Sequence, residues 1–600
     1  MNGSLKPIDY YTQRVIDGKA SLLPHYRKRR FLGWARLIML LAAGATLWYA
    51  ITFSLSPLIL VSALLFGGFL FALSADLDND KKILNKETLV LVTEEEIRIA
   101  AHDFYFRPTG EGHFSKEHDY ANDLDILGHA SLFQYINRSE STSGQKNLVQ
   151  WLLHPAPVEL IRSRQDAVKE LATNPEWRAQ FQSYGRLNQV TLKTEIAVSR
   201  WLAEGHQFLN HKFYVLLRWI LPILSLGNLL AYLTGNFTSQ QFYPLLFLFF
   251  ILSLLISRKV MPAYVQLNKV NEQFTTLSHC IGHLEELAPR STLLTSYIDS
   301  LHHGQEKSST IISRLRKIMD RLDYRLNPLV FLPLNTLLFW DLQQIFALEK
   351  WKSQYGKNAL SWFRVYGEME ALSSLATIRF NHPDWAFPVI VSEEGVFRST
   401  ELGHPLIPAG KRVNSSIEVS GKGQLALITG SNMAGKSTFL RSVGINTILA
   451  MSGAPVCAGS LEVSPLRVMS SMRVSDNLEE STSTFYAELK KLKTIIEAVN
   501  RKENILILLD EILRGTNSGD RHQGSAALIR QLIHHQATGL IATHDLELAS
   551  LTKEFPGHIH NYHFDVQVEG EELFFDYKLK TGVCTSMNAS LLMRKIGIEM

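Results

Sequence analysis

Two stretches of 39 residues contain no Asp, Glu, Lys or Arg, one between Arg36 and Asp76 and one between Arg218 and Arg258. Each is too long for one membrane-crossing helix and suits two helices of roughly 17–20 residues joined by a tight turn. The first divides into Leu37–Phe53 and Pro57–Ala75 around Ser54–Ser56, the second into Trp219–Leu233 and Phe242–Ser257 around Thr234–Gln241. The competing reading is a buried hairpin of a water-soluble core. Helices of such cores keep a polar stripe, and these four segments carry none. The flanks set an expected orientation. Arg27–Arg30, Lys81, Lys82, Lys212, Arg218, Arg258 and Lys259 lie outside the runs, and both turns lack Lys and Arg. By the positive-inside rule both turns face out and the remainder faces the cytoplasm. A cleaved signal peptide is not expected, because the first apolar region is too long and follows a 30-residue arm.

Composition narrows the remainder. A chain of 600 residues calls for roughly three to five structural units. With 46% hydrophobic and 20% charged residues and a mean hydropathy of zero, disorder and collagen-like structure are excluded. The first 36 residues hold eight basic and two acidic side chains, so that arm carries +6 of a formal +4 and the rest is −2. Whole-chain charge therefore gives no support to a duplex-binding surface. Cys280, Cys457 and Cys584 are widely separated, which excludes a disulfide scaffold or a cysteine zinc site and suits a reducing compartment.

Between the runs, residues 76–218 read as soluble, with a strand-like run at Thr88–Ala101 and helices over Asp123–Leu153 and Val158–Leu171. Residues 259–380 read as mostly helical, with amphipathic Leu267–Leu287 and Ile311–Leu326. The apolar run Leu329–Trp340 has only 12 residues before Asp341 and is expected to be a buried core helix. From about residue 385, Gln424–Thr429, Leu440–Met451, Phe485–Val499, Ile505–Leu509, Gly524–His534 and Gly539–Thr543 alternate as strands and helices of a parallel α/β sheet.

The chemistry gathers there. Gly430-Ser431-Asn432-Met433-Ala434-Gly435-Lys436-Ser437-Thr438 fits G-x-x-x-x-G-K-[ST] between the strand Leu425–Thr429 and a helix. Such a loop wraps backbone N–H groups around phosphate; Lys436 would reach the β- and γ-phosphates and Ser437 would ligate Mg2+. The plain alternative is a Gly-rich turn opening a helix. Ile505–Asp510-Glu511 is an apolar strand ending in two acids, costly unless they face a cation or a reacting water. Asp510 would complete the Mg2+ shell and Glu511 would polarise the attacking water; capping of the next helix is the other reading. His544, after Gly539–Thr543, stands where it could contact the γ-phosphate or water, or act as an ordinary cap. Ser481–Glu488 precedes a helix, and its Ser and Thr residues read first as caps.

In this order the motifs resemble the ATPase domain of the MutS mismatch-repair family, within the ABC-type ATPases. The resemblance rests on Gly403-His404-Pro405-Leu406, Thr429–Thr438, Ser483-Thr484-Phe485-Tyr486-Ala487-Glu488-Leu489, Asp510–Asp520, Ala542–Leu548 and Tyr577–Gly582. Leu124–Leu127, Thr142–Pro155 with Gly144, Ile161–Leu171 and Gly367–Leu375 resemble the family's helical core. The likeness implies a homodimer in which each ATP lies between one P-loop and the partner's signature. Ser483 would then contact the partner's γ-phosphate, and Asp520 would lie near the dimer seam. It also implies DNA, including mismatched DNA, as ligand.

Departures accompany the likeness. Leu513 stands where the family has Gly, and Arg521 replaces the Gly after the acid. No Phe-x-Glu wedge occurs in the 46 residues from Lys82 to Leu127, a membrane hairpin occupies part of the expected DNA-clamp position, and the family's C-terminal dimerisation extension is not seen. The expected fold is an α/β P-loop NTPase (ABC-type) C-terminal domain plus an all-α MutS-core-like domain interrupted by transmembrane hairpins. It divides into a basic cytoplasmic arm (1–30), a first hairpin (31–75), a small cytoplasmic segment (76–120), helical core (121–212), a second hairpin (213–257), helical core and lever (258–384) and the ATPase domain (385–600). The expected activity is ATP hydrolysis with Mg2+ at a composite dimer site of a membrane-anchored protein acting on DNA. The alternative is an ATP-driven membrane mechanotransducer or transport-like module without DNA, although spans free of ionisable Asp, Glu, Lys and Arg argue against an ion route.

Overall fold

The computed structural model describes residues 6–113, 118–431, 434–472, 484–569 and 572–584. It is mostly helical, with mixed α/β structure in the C-terminal part. Among the described residues, four helices are long and apolar enough to cross a membrane: Pro7–Thr52, Ser56–Ala100, Lys212–Leu233 and Ser239–Asn268.

The first two form an antiparallel hairpin whose 46 and 45 residues far exceed the charge-free run between them. At 1.5 Å per residue each is about twice as long as a hydrocarbon core is thick. The helices run unbroken past residues 30 and 75. The bracketing residues meet: Arg36 and Asp76 form an ion pair at 2.8 Å. On the charged side the helices continue as a stalk, cored by Val15, Leu22, Ile83 and Val90.

Thr88–Ala101 is not a strand but the end of the second stalk helix. Its β-branched residues suggest a strand, yet the stretch is continuous helix, burying Thr88, Val90, Val92, Thr93, Glu96 and Ile99, of which the last four follow helical spacing. Thr88 and Thr93 donate to the carbonyls of Leu84 and Leu89, as helix interiors allow. Asp123–Leu153 is also only partly helical: Leu132–Ile136 and Thr142–Leu153 are separated by an extended turn. Ser141 accepts from the Gly144 N–H there and so restarts the helix.

The second hairpin packs against an 11-residue helix, Pro328–Leu338. This is the Leu329–Trp340 run, and it is not a buried core helix. Leu329 is 87% exposed, Val330 and Leu332 are also exposed, and the residues it buries are Asn335 and Thr336. Sequence alone placed its apolar side chains in the protein interior; the packing turns them outward. The helix then bends by 80° at Phe339, whose φ is 50°, into Trp340–Asn381. This 42-residue helix is the axis of the helical core, with Trp362 and Tyr366 fully buried along it.

The C-terminal domain has a six-stranded sheet in the order Glu572–Thr581, Ile559–Glu569, Leu425–Thr429, Thr538–Thr543, Ile505–Asp510, Arg467–Ser471. All neighbours pair in parallel except the Ile559–Glu569/Glu572–Thr581 hairpin at one edge. A separate four-stranded sheet of Val389–Ile390, Ser460–Val463, Val396–Leu402 and Ser415–Ser420, largely antiparallel, was not distinguished by the alternation pattern. The helix Lys436–Ser452 leaves the central strand and packs on Thr142–Leu153 and Val158–Ala172 of the helical core. A Cβ at Gly444 would lie 2.6 Å from Leu124 and 2.8 Å from Leu508, so the close approach requires glycine. One hydrophobic core runs through both regions.

Candidate functional site

Three neighbouring parallel strands, Leu425–Thr429, Thr538–Thr543 and Ile505–Asp510, end at the same edge of the sheet. Parallel pairing therefore brings the P-loop, His544 and the Asp510–Glu511 pair together, at the carboxyl edge where open α/β sheets bind ligands. Gly430 and Gly435 have φ of 149° and 107°. A Cβ at Gly430 would lie 2.8 Å from the Phe564 carbonyl oxygen, and one at Gly435 would lie 3.2 Å from Tyr577. The loop therefore needs glycine for both its turn and its packing. Ala434 is buried, and the helix begins at Lys436.

A cavity of about 410 Å³ opens over this loop, lined among others by Ser431, Gly435, Lys436, Ser437, Thr438 and Glu511. On its other side stand His404, Ile407, Arg412, Phe564 and Tyr577. His404 and Tyr577 belong to motifs quoted above without a role. Arg412, Ile407 and Phe564 carry no local signal, because they reach the cavity from separate strands and loops. A second cavity of about 240 Å³, lined by Ser471, Met472, Glu488, Asp510, Glu511, Arg514 and Gly515, shares Glu511 with the first.

The electrostatics suit a phosphate and a divalent cation. Lys436 Nζ donates to the carbonyls of Gly430 (2.6 Å) and Ser431 (2.9 Å). Burial pushes its ammonium below the usual value, against the pull of Glu511 and Asp510. Burial also pushes the Asp510 carboxyl up, opposed by a hydrogen bond from Ser437 and by Arg514 and Lys436. Asp510 Oδ1 is buried with no hydrogen-bond partner among the described residues, a cost that a bound cation would remove. The donor set of hydroxyl and carboxylate oxygens fits Mg2+. His544 Nδ1 lies 3.6 Å from Glu511 Oε1, and Arg514 Nε lies 3.2 Å from Glu511 Oε2. His404 is held down to about 4 by burial and by Arg441, so its ring is neutral at pH 7.

Glu511 has φ of 48° and Leu513 φ of 60°, so the turn after the strand uses the left-handed region twice without glycine. The helix Thr484–Asn500 packs beside this turn. Glu488, 4% exposed, accepts from the Leu513 N–H, and a Cβ at Gly515 would lie 2.6 Å from Phe485 Cβ. The end of the signature is thus placed against the acidic turn. Ser483, Asn432 and Met433 lie outside the described residues. Asp520 is on the first turn of Ser518–His534, where Asn517 caps its N–H.

Residues 426–593 match the family described as MutS domain V. Over this region the chain is similar to the MutS family. It is 32% identical over 242 residues to the DNA mismatch repair protein MutS of Treponema pallidum, covering 38% of this chain and 26% of that one. It is 35% identical over 210 residues to that of Oleidesulfovibrio alaskensis, covering 34% and 23%. With that of Sorangium cellulosum it shares 30% identity over 313 residues, covering 51% and 30%. The chain thus spans about a quarter of the length of the curated MutS relatives it matches.

Proposed function

We propose that this chain is a membrane-anchored MutS-family ATPase that hydrolyses ATP with Mg2+ between two copies of itself. Both charge-free hairpins would lie in the bilayer, with the C-terminal domain and both chain ends on the cytoplasmic side. The observation that carries the reading is the meeting, at the ends of three parallel strands, of Lys436, Ser437 and Glu511 around one cavity, with Asp510 lining the adjoining cavity that shares Glu511 and His544 3.6 Å from Glu511. Mg2+ would neutralise charge that develops on the transferring phosphoryl group. The loop N–H groups from Gly430 to Thr438, including Asn432 and Met433, would cradle the phosphates, and Lys436 would turn from its own loop carbonyls to the β- and γ-oxygens. Ser437 and Asp510 would hold the metal. Glu511 would orient and deprotonate the water, with His544 beside it. Ser483 of a second copy would close the site from across the dimer seam. His404, Phe564 and Tyr577 suit the flat base and sugar.

Lys436→Ala should abolish turnover, and unchanged ATPase activity in that variant overturns the site assignment. Glu511→Gln should retain ATP binding while slowing hydrolysis by two orders of magnitude or more, on the order of the loss expected for a positioned base. Both are read by phosphate release and nucleotide filter binding.

The relatives are named for DNA mismatch repair, and DNA is the proposed ligand of this chain. Among the described residues, 82–127 form the end of the stalk helix and a loop packed on the core rather than a separate mismatch-reading domain. Recognition would therefore rest on backbone contacts, giving affinity that falls steeply with salt. One observation favours a second reading, ATP-driven work on the membrane without DNA: the core's axial helix starts inside the second apolar bundle. A DNA titration at rising salt separates the two. Salt-sensitive binding supports the first, and no binding at low salt leaves the second.

A further inference from the structure

The helix Pro328–Leu338 is built the wrong way round for a water-soluble surface. Arg325 and Asp341 bracket 15 residues with no charged side chain. Leu326, Leu329, Val330 and Leu332 are 71%, 87%, 39% and 43% exposed, while Asn335 and Thr336 are buried. A surface helix of a soluble domain does the reverse, and apolar side chains gain nothing from water.

Its contacts give its level relative to the second hairpin. Ser225 Oγ donates to the Leu337 carbonyl. Asn335 Nδ2 donates to Ser257 Oγ at 2.9 Å and to the Ser253 carbonyl at 3.5 Å. The Phe339 ring stands 6.4 Å from that of Phe249. Ser225, Phe249, Ser253 and Ser257 all belong to the charge-free run. Phe249 precedes Arg258 by nine residues, about 13 Å along a helix. The 80° break at Phe339 therefore lies inside the apolar zone, two residues before the Asp341 that meets Ser257 at its edge, and an 11-residue helix of about 16 Å covers roughly half of a hydrocarbon core.

The charges at both ends return to the zone's edge. Asp341, fully buried, pairs with Arg325 at 2.5 Å and accepts from Ser257 Oγ at 2.6 Å. Asn335 Oδ1 accepts the Asp341 N–H and so caps the start of the long helix across the break. Tyr324 stacks on Trp340 at 5.9 Å, an aromatic pair of the kind found at a membrane–water boundary.

We propose that Pro328–Leu338 is a re-entrant half-helix whose outer face, Leu329, Val330 and Leu332, is solvated by lipid acyl chains. The 42-residue axis of the core then begins within the bilayer. This rests on the membrane reading of the second hairpin. The half-helix enters from the cytoplasmic side, turns at Phe339 and leaves as Trp340–Asn381, with backbone groups at its ends met by the side chains of Asn327, Ser225 and Asn335 rather than by lipid. The occupant is the bilayer, not a second copy, because the face is continuous with the exposed apolar surface of the hairpin it packs on and shares its level.

The test uses the full chain in phosphatidylcholine vesicles, with bimane on a single introduced cysteine; the native Cys280, Cys457 and Cys584 are buried. Leu329→Cys and Leu332→Cys probe the face, Leu248→Cys on the hairpin is the lipid reference, and Lys357→Cys on the exposed side of the axial helix is the water reference. Brominated acyl chains should cut emission at Leu329→Cys and Leu332→Cys about twofold, as at Leu248→Cys, while iodide quenches only Lys357→Cys. Iodide quenching at Leu329→Cys with lipid quenching retained at Leu248→Cys overturns the half-helix and leaves the hairpin in the membrane. Protection from both quenchers at Leu329→Cys means that protein covers the face, and also overturns it. Iodide quenching at Leu248→Cys removes the membrane reading and the half-helix together.

Discussion

At the scale of single residues, Glu370 shows how a buried carboxyl organises the helical core. It accepts N–H bonds from Glu140 at 3.0 Å and Ser141 at 3.2 Å, and a bond from Ser141 Oγ. A Cβ at Gly144 would lie 2.2 Å from its Oε2, which is why glycine stands there. Burial pushes the carboxyl up from 4.5 to about 7, outweighing those donors. Between pH 4.5 and 7 the unfolded chain releases a proton that the folded chain keeps. The stability this group contributes is therefore full below pH 4.5, falls as pH rises through that window and levels off above about 7. Thermal melts of Glu370→Gln should lack that fall, and a difference from the parent that is flat across pH 4.5–7 would refute the assignment. Leu513 is a second telling residue. It occupies the left-handed region at a cost of about 1 kcal/mol, but it is 9% exposed and reaches over Gly524. Leu513→Gly relieves strain and loses burial worth about 1.5–3 kcal/mol. The net expectation is destabilisation of about 1 kcal/mol, measured by denaturant titration of the C-terminal domain's unfolding signal.

At the scale of elements, the site depends on how closely the helix Thr484–Asn500 approaches the acidic turn. The clash at Gly515 involves Phe485 Cα at 3.1 Å as well as its Cβ, so a methyl group there must displace backbone. Gly515→Ala should lower ATP turnover at least tenfold, on the scale of a misplaced catalytic group, with nucleotide affinity at the P-loop little changed. Equal loss of binding and turnover would count against this role. Elements also show what local pattern can convey. The P-loop, the Asp510–Glu511 strand and the His544 strand were legible because each is a short run whose chemistry is contiguous. Thr88–Ala101 misled because β-branched residues suit strands in general, whereas here they extend a helix already nucleated upstream. The cavity wall of Arg412, Phe564 and Tyr577 was illegible as a unit, since 165 positions separate its ends in the chain.

At the scale of the whole molecule, one helix joins every part. Trp340–Asn381, about 63 Å long at 1.5 Å per residue, begins beside Arg218 and Ser257 of the second hairpin, where Gln343 and Asp341 bind them. At its other end Asn381 bonds Tyr11 and Glu96 of the first hairpin's stalk at 2.8 and 3.0 Å. Thr142–Leu153 packs along it and against the P-loop helix. Movement at the proposed nucleotide site would thus have a packed route to both hairpins. Lys357→Pro, at an exposed mid-helix position, should interrupt that route at a cost of about 3 kcal/mol. In vesicles of differing acyl length, the intact chain's ATP turnover should vary with bilayer thickness and that of Lys357→Pro should not. An equal dependence in both would show that the axis transmits nothing.

What the sequence determined by itself was whatever contiguous residues decide: the length of the charge-free runs, the phosphate-wrapping spacing of the loop, the acids at a strand tip. Tertiary structure alone decided which way each apolar side chain turns. Leu329 and Leu508 are equally hydrophobic in the sequence, yet one is 87% exposed beside the second hairpin and the other is fully buried under the P-loop helix. The physical reason is that apolar burial depends on what distant segments bring alongside, a partner that no local window of the chain contains.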